Sequence, residues 1–150
     1  MRAGYYFEIG GEMYDEFISI LRHFRERQHL CTEPMSEEDV LLEENRFGPL
    51  PKSYREFLLQ VPTGVFFNEA FILYDGLLSF EDLALQIRTE SEEGLIAFGD
   101  NLAGTILCFD TRNPNSDGEW SVVEYVYPDY CVKVANSFWE WIMGMVTALV

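Results

Sequence analysis

Histidine, cysteine and basic residues are scarce in this sequence, and no apolar run is long. Only two histidines occur in 150 residues, His23 and His29. The first lies in an amphipathic stretch and the second in a polar linker. His29-x-Cys31 is half of a metal-ligand pattern with no second half. The three cysteines, Cys31, Cys108 and Cys131, are odd in number and far apart, which argues against a disulfide framework. Cys108 and Cys131 fall in apolar runs and read as buried thiols. No apolar segment approaches the roughly 20 residues needed to cross a bilayer. Met1 to Gly11 holds one arginine and no apolar core of a secretory signal. The expectation is a reduced, cytoplasmic protein without a membrane segment.

The usual catalytic signatures are missing as well. No serine sits in a nucleophile elbow, and nothing places a cysteine beside a histidine. Gly99 to Gly104 has the glycines of a phosphate loop, but it lacks a lysine and a following helix, and Asp100 would repel an anion. The carboxylates do not show the fixed spacing of a calcium loop. The expectation is a protein that is not an enzyme, with no catalytic, cofactor-binding or metal-binding residues.

What is present in excess is negative charge. Ten basic residues face 26 acidic ones, for a net charge of −16. The excess divides evenly, at −8 in residues 1–88 and −8 in residues 89–150. Such a surface repels nucleic acid and anionic lipid, and it steers cationic partners inward. Its bland alternative is an acidic protein whose charge only keeps it dispersed. Aromatic residues are plentiful at 15%, which with the chain length supports a sizeable core.

Patterning gives helices first and strands later. Ala3 to Ile9 reads as a short strand, broken by Gly10-Gly11. Glu12 to Arg27 reads as a helix, with Phe17, Ile20, Leu21 and Phe24 on one face. Its acids come early and its arginines late, which complements the helix dipole. Ser36-x-x-Asp39 is a capping box opening a helix to about Phe47. Glu44 borders its apolar side and reads as a partner for Arg46, Lys52 or Arg55. In LPKSYREFLLQV, from Leu50 to Val61, Ser53 and Glu56 read as a second capping box. Tyr54, Phe57, Leu58 and Val61 share one face there, and Pro62-Thr63-Gly64 ends the helix.

Val65 to Phe67 and Ala70 to Tyr74 read as strands, with a turn at Asp75-Gly76. Ser79-x-x-Asp82 caps a helix from Leu78 to Arg88, and Thr89 to Gly94 is an acidic loop. Leu95 to Phe98, Thr105 to Asp110, Trp120 to Tyr127 and Cys131 to Val134 read as an antiparallel meander. Ser137-x-x-Glu140 caps a last helix, with Phe138, Trp141, Ile142, Met145 and Leu149 inward. The fold class expected is α+β: N-terminal helices packed on a mainly antiparallel sheet, closed by a C-terminal helix. No linker or repeat divides residues 1–150, so one domain is expected.

The carboxylates Asp100, Asp110, Asp117, Glu119, Glu124 and Asp129 cluster on or beside the strands. Two readings stand. One is a solvated sheet rim. The other is an acidic docking surface in which Trp120, Tyr125, Tyr127 and Tyr130 are aromatic anchors.

Several landmarks together resemble the SUKH superfamily. Glu44-Asn45-Arg46-Phe47-Gly48 is similar to its E-x-x-[LF]-G segment. Leu50 to Leu58 is similar to its LP-x-[SD]-[YF]-[KR]-x-[FL]-L motif, and Gly64 to the glycine ending that helix. Ile96 to Asp100 with Gly104 to Asp110 resembles the family's central hairpin, and Val122 to Tyr125 its next strand. Asn136 to Ile142 resembles its closing helix. The resemblance covers about residues 36–150 and leaves residues 1–35 as an added strand and helix. It implies a non-enzymatic binding domain without cofactors, similar to bacterial immunity proteins that neutralise a cognate toxin, or else a regulatory or scaffold module in a signalling pathway. The resemblance implies that such a toxin is often a nuclease, which fits the charge argument for a basic partner, and the charge also argues that nucleic acid is not bound directly. Whether the chain is a monomer or a homodimer is left open.

Overall fold

The computed structural model describes residues 13–24, 27–31, 33–83, 93–127 and 130–149. The expected N-terminal strand, residues 89–92 of the acidic loop, residues 84–88 of the expected 78–88 helix and Asp129 lie outside these residues.

Among the described residues, four helices and seven strands follow in the order α1 (Asp15–His23), β1 (His29–Leu30), α2 (Glu37–Phe47), α3 (Lys52–Gln60), β2 (Gly64–Phe66), β3 (Phe71–Leu78), β4 (Leu95–Asp100), β5 (Thr105–Asp110), β6 (Ser121–Val126), β7 (Tyr130–Ala135) and α4 (Phe138–Leu149). The strands form one sheet in sequence order, and every pair is antiparallel. The α+β class, the antiparallel meander and the closing helix are as the sequence indicates.

The sheet has two unequal cores, because side chains alternate across a strand. On β5, Leu107 and Phe109 face the helices, while Ile106 and Cys108 face the other way. The larger core joins α1, α3 and α4 to the sheet through Tyr14, Phe17, Tyr54, Phe57, Leu58, Phe98, Phe109, Phe138 and Trp141. Its rings meet edge to face: Phe57 lies 5.2 Å from Tyr14 and 5.0 Å from Phe138, centre to centre. Burying each of these phenylalanines is worth about 1.5–3 kcal/mol relative to leaving it exposed. The smaller core sets Phe80 against Leu95, Ala97, Cys108, Val123 and Tyr125. Helix α1 lies outside the resemblance, yet its Tyr14, Phe17 and Leu21 are part of the main core.

Polar side chains fix how the elements join. Helix α1 is shorter than Glu12 to Arg27, because Gln28 closes it: its Nε2 donates to the carbonyls of Leu21 and Phe24 at 3.3 and 2.6 Å. The capping box at Ser36–Asp39 forms as read, and Ser137 caps α4 by accepting from the Glu140 N–H, while the Glu140 carboxylate accepts from the Asn136 N–H one residue earlier. Glu44 accepts from the Leu50 N–H at 2.9 Å and meets Arg55 at 3.7 Å, as expected of a carboxylate beside the core. It thereby ties Gly48-Pro49-Leu50 to α2. Its neighbour Glu43 reaches across to the Leu77 N–H at 2.6 Å.

Five expectations are corrected. Ser53 is not an N-cap paired with Glu56: Pro51 precedes α3, and no side chain caps from that position. Asp75-Gly76 is not a turn, because β3 runs through it with a register shift against β4 between Leu73 and Leu78. Gly76, with φ of +121°, lets the backbone pass the Glu43 carboxylate, which a Cβ would meet at 2.6 Å. Leu78 therefore ends a strand rather than starting a helix, although Ser79 and Asp82 do exchange both cap bonds. Gly64 does not terminate a helix. It opens β2, where any Cβ would run into the backbone of His29 and Leu30. Finally, Cys131 is exposed on β7, the last strand of the sheet, and only Cys108 is buried.

Candidate functional site

Of the ten acidic and aromatic residues singled out for partner binding, the nine that are described (all but Asp129) are not brought together. Asp100 lies at the β4–β5 end of the sheet and Asp110 at the opposite end of β5. Each serves its own turn. Asp100 accepts from the Tyr74 hydroxyl at 2.8 Å and from the Leu102 N–H at 2.7 Å. Burial, with that hydrogen bond to Asp100, pushes the Tyr74 hydroxyl well above the usual tyrosine range. Asp110 is bound by Arg112 through its backbone N–H, Nε and guanidinium nitrogen, at 2.9–3.0 Å. Those bonds hold its carboxyl below the ordinary aspartate range.

Two of the proposed aromatic anchors are core residues instead. Tyr125 is 0% exposed and packs on Phe80 at 4.9 Å. Trp120 is 7% exposed and packs on Phe109 at 5.6 Å. Both sheet faces carry a core, so alternation along β6 hides aromatics that a one-sided sheet would expose. Tyr127 and Tyr130 are exposed, Tyr130 on β7. Glu124 is half-buried on β6, opposite Val132.

Asp117 and Glu119 are the pair the fold assembles into something larger. They line a cleft of about 650 Å³ between the β5–β6 loop and α4, with Asn115, Asn136, Ser137, Trp139, Glu140 and Met143. Asn115 shapes the loop: its side-chain oxygen accepts from the Asp117 and Glu119 N–H groups at 2.9 and 3.0 Å. Glu119 is fixed from below. Its carboxylate accepts from the Ser53 hydroxyl at 2.5 Å and the Ser53 N–H at 3.1 Å. Ser53 Oγ also accepts from the Trp139 N–H at 3.3 Å, and the Ser53 carbonyl accepts from the Tyr14 hydroxyl at 2.6 Å. One buried serine thus joins α1, α3, α4 and the loop. Burial, then the charges of Glu119 and Glu56, raises the Tyr14 hydroxyl well above its ordinary value.

The cleft presents three carboxylates, Asp117, Glu119 and Glu140, and its lining has no lysine, arginine or histidine. The half-buried Trp139 supplies an aromatic wall. Such a site can take a lysine or arginine side chain, with its methylenes on the ring and its head among the acids. Among the described residues, no group of three or more His, Cys, Asp and Glu is arranged to hold a metal ion. Sequence reasoning missed Asn115, Asn136, Trp139 and Glu140 as cleft residues. The first was read as a turn former and the last as a helix cap. Both readings hold, and the cleft arises because a cap and a turn end up side by side.

A family model matches the chain over residues 34–144: that of the SMI1/KNR4 family (SUKH-1). No curated protein matches the sequence. No helix among the described residues is long and apolar enough to cross a membrane.

Proposed function

The chain belongs to the SMI1/KNR4 family (SUKH-1), and from that premise we propose that it is an immunity protein, not an enzyme, that binds and neutralises a basic bacterial toxin domain in the cytoplasm. Residues 1–150 are read as one domain, with residues 1–35 an extension that contributes a helix to the core. The observation that carries the reading is the acidic cleft between the β5–β6 loop and α4, in a chain of net charge −16. Asp117, Glu119 and Glu140 are the contact carboxylates of this reading, and Trp139 is its anchor. A nuclease is the fitting toxin class, since an enzyme that grips nucleic acid needs a cationic surface. The acidic chain would compete for that surface and associate quickly at low salt.

The test is co-expression with the toxin domain encoded beside this gene, and complex formation at about 50 mM salt, where screening is weak. Protection, with a complex that loosens as salt rises, is the expected result. Toxicity unchanged by co-expression would sink the reading. A complex with a non-toxin protein, unaffected when the cleft carboxylates are made neutral, would favour a regulatory or scaffold role instead.

A further inference from the structure

Helix α2 carries a second, unrelated surface. Val40 is its only fully buried residue. Leu41 and Leu42 are exposed at 51% and 65%, where an amphipathic helix would place polar residues. Leu42 forms one wall of a groove of about 390 Å³, which is also lined by Pro34, Met35, Thr63 and Cys31. Two exposed leucines beside a preformed groove are unusual on an otherwise polar helix.

The charge around this apolar patch selects its occupant. Glu33, Asp39, Glu43 and Asp75 line the same groove. Each of the last three has one oxygen held by a structural donor: Ser36 N–H for Asp39, Leu77 N–H for Glu43, and the Thr63 hydroxyl with the Cys31 thiol for Asp75. The other oxygens have no described hydrogen bond. Among the described residues, no cation pairs with any of the four. Arg55 pairs with Glu37 and Glu44, and Arg46 pairs with Asp82.

We propose that this groove and the Leu41–Leu42 face dock a cationic amphipathic segment of a partner protein. An apolar side chain of that segment packs on Leu42. A neighbouring lysine or arginine lays its methylenes along Pro34 and Met35 and sets its charged head at Asp75 and Asp39. An anionic or wholly apolar segment does not match, because it would leave the carboxylates facing like charge or buried without a partner. The surface stands apart from the cleft beside α4 and does not depend on the immunity reading.

The probe is a fluorescein-labelled peptide of lysine, leucine and alanine, with its leucines on one helical face. A scrambled peptide of equal composition is the control for plain charge attraction. Binding is read by fluorescence anisotropy at low salt on the full chain. The patterned peptide should bind tighter than the scramble. Leu42→Ser and Asp75→Asn should each remove much of that preference, weakening binding about fivefold to tenfold, the scale of one apolar or charge-assisted contact. Leu102→Ser, an exposed leucine on the β4–β5 turn, and Glu16→Gln on α1 should leave it intact. Leu42 is exposed and Asn at position 75 keeps an acceptor for Thr63, so matching thermal midpoints will show that both variants fold. Equal binding of the two peptides, no binding, or a preference untouched by Leu42→Ser and Asp75→Asn would overturn the proposal.

Discussion

Glu119 holds Ser53 by two bonds at once, one from its hydroxyl at 2.5 Å and one from its N–H at 3.1 Å, across 66 residues of sequence. The contact does more than close a loop. Ser53 lies in the first turn of α3, so the carboxylate sits where the helix dipole favours negative charge. The same hydroxyl accepts from the Trp139 N–H in the first turn of α4. Two helix starts and one cleft carboxylate therefore depend on a single 3%-exposed serine.

Ser53→Ala should accordingly destabilise the chain by about 1–3 kcal/mol, since it leaves one Glu119 oxygen and the Trp139 N–H without their partner. Glu119→Gln should cost less, because one acceptor oxygen remains. A double-mutant cycle between the two positions should show a coupling of about 0.5–3 kcal/mol in chemical denaturation. Simple additivity would mean that the pair does not hold the cleft together.

This relationship also marks what the sequence could reveal. The helix caps made by Ser36 with Asp39 and by Ser137 with the Glu140 N–H are local, and spacing alone found them. Ser53 and Glu56 match the same spacing, but the distant Glu119 claims the serine. Local pattern reads local bonds, and a partner 66 residues away leaves no trace in spacing. The Asp75-Gly76 turn failed for a related reason. Its glycine serves the approach of Glu43 from another element, and such a glycine looks the same in sequence as one that turns the chain.

Phe57 tests the core directly. It is fully buried among Tyr14, Phe17 and Phe138. Phe57→Ala should cost about 3–5 kcal/mol. For a chain of this length, each kcal/mol lowers the thermal midpoint by about 2–4 °C. A midpoint unchanged in calorimetry would show that this ring does not bear on the packing of α1, α3 and α4.

Thiol chemistry should divide the three cysteines. Cys31 and Cys131 are exposed, while Cys108 is buried. Burial, with Cys131 as a smaller influence, pushes the Cys108 thiol well above its ordinary range, so its thiolate is scarce at neutral pH. A disulfide-exchange reagent should titrate two thiols in the native chain and the third only in denaturant. Three fast thiols would mean that the smaller core opens readily.

Much of the docking surface was illegible for the reason Trp120 and Tyr125 show. Alternation told which residues share a face of β6, but not that both faces are covered. Phe80 and its neighbours supply the second cover, although the pattern of that stretch reads as the start of a helix. Asp117 and Glu119 were found because loop carboxylates are legible as such. Glu140 was not, because its capping role explained it fully.

Asp110 gives a prediction with a definite sign. Its carboxyl is held below the usual range, chiefly by the Arg112 side chain and also by the Arg112 N–H, against an opposing effect of burial. A depressed folded value means the unfolded chain binds a proton first as pH falls. The stabilisation is then complete above the unfolded value of about 4 and is lost as pH falls through the folded value. The pair is largely solvent-screened, so its worth is only about 0.2–1 kcal/mol. Asp110→Asn should be less stable than the parent by that amount at neutral pH, and the gap should close as pH falls through the depressed folded value, where the aspartate becomes protonated and neutral like the asparagine. Urea midpoints of the two proteins across this range decide it. A gap that persists in acid would assign the effect to lost packing or geometry, and no gap at neutral pH would mean that water serves Arg112 as well as Asp110 does.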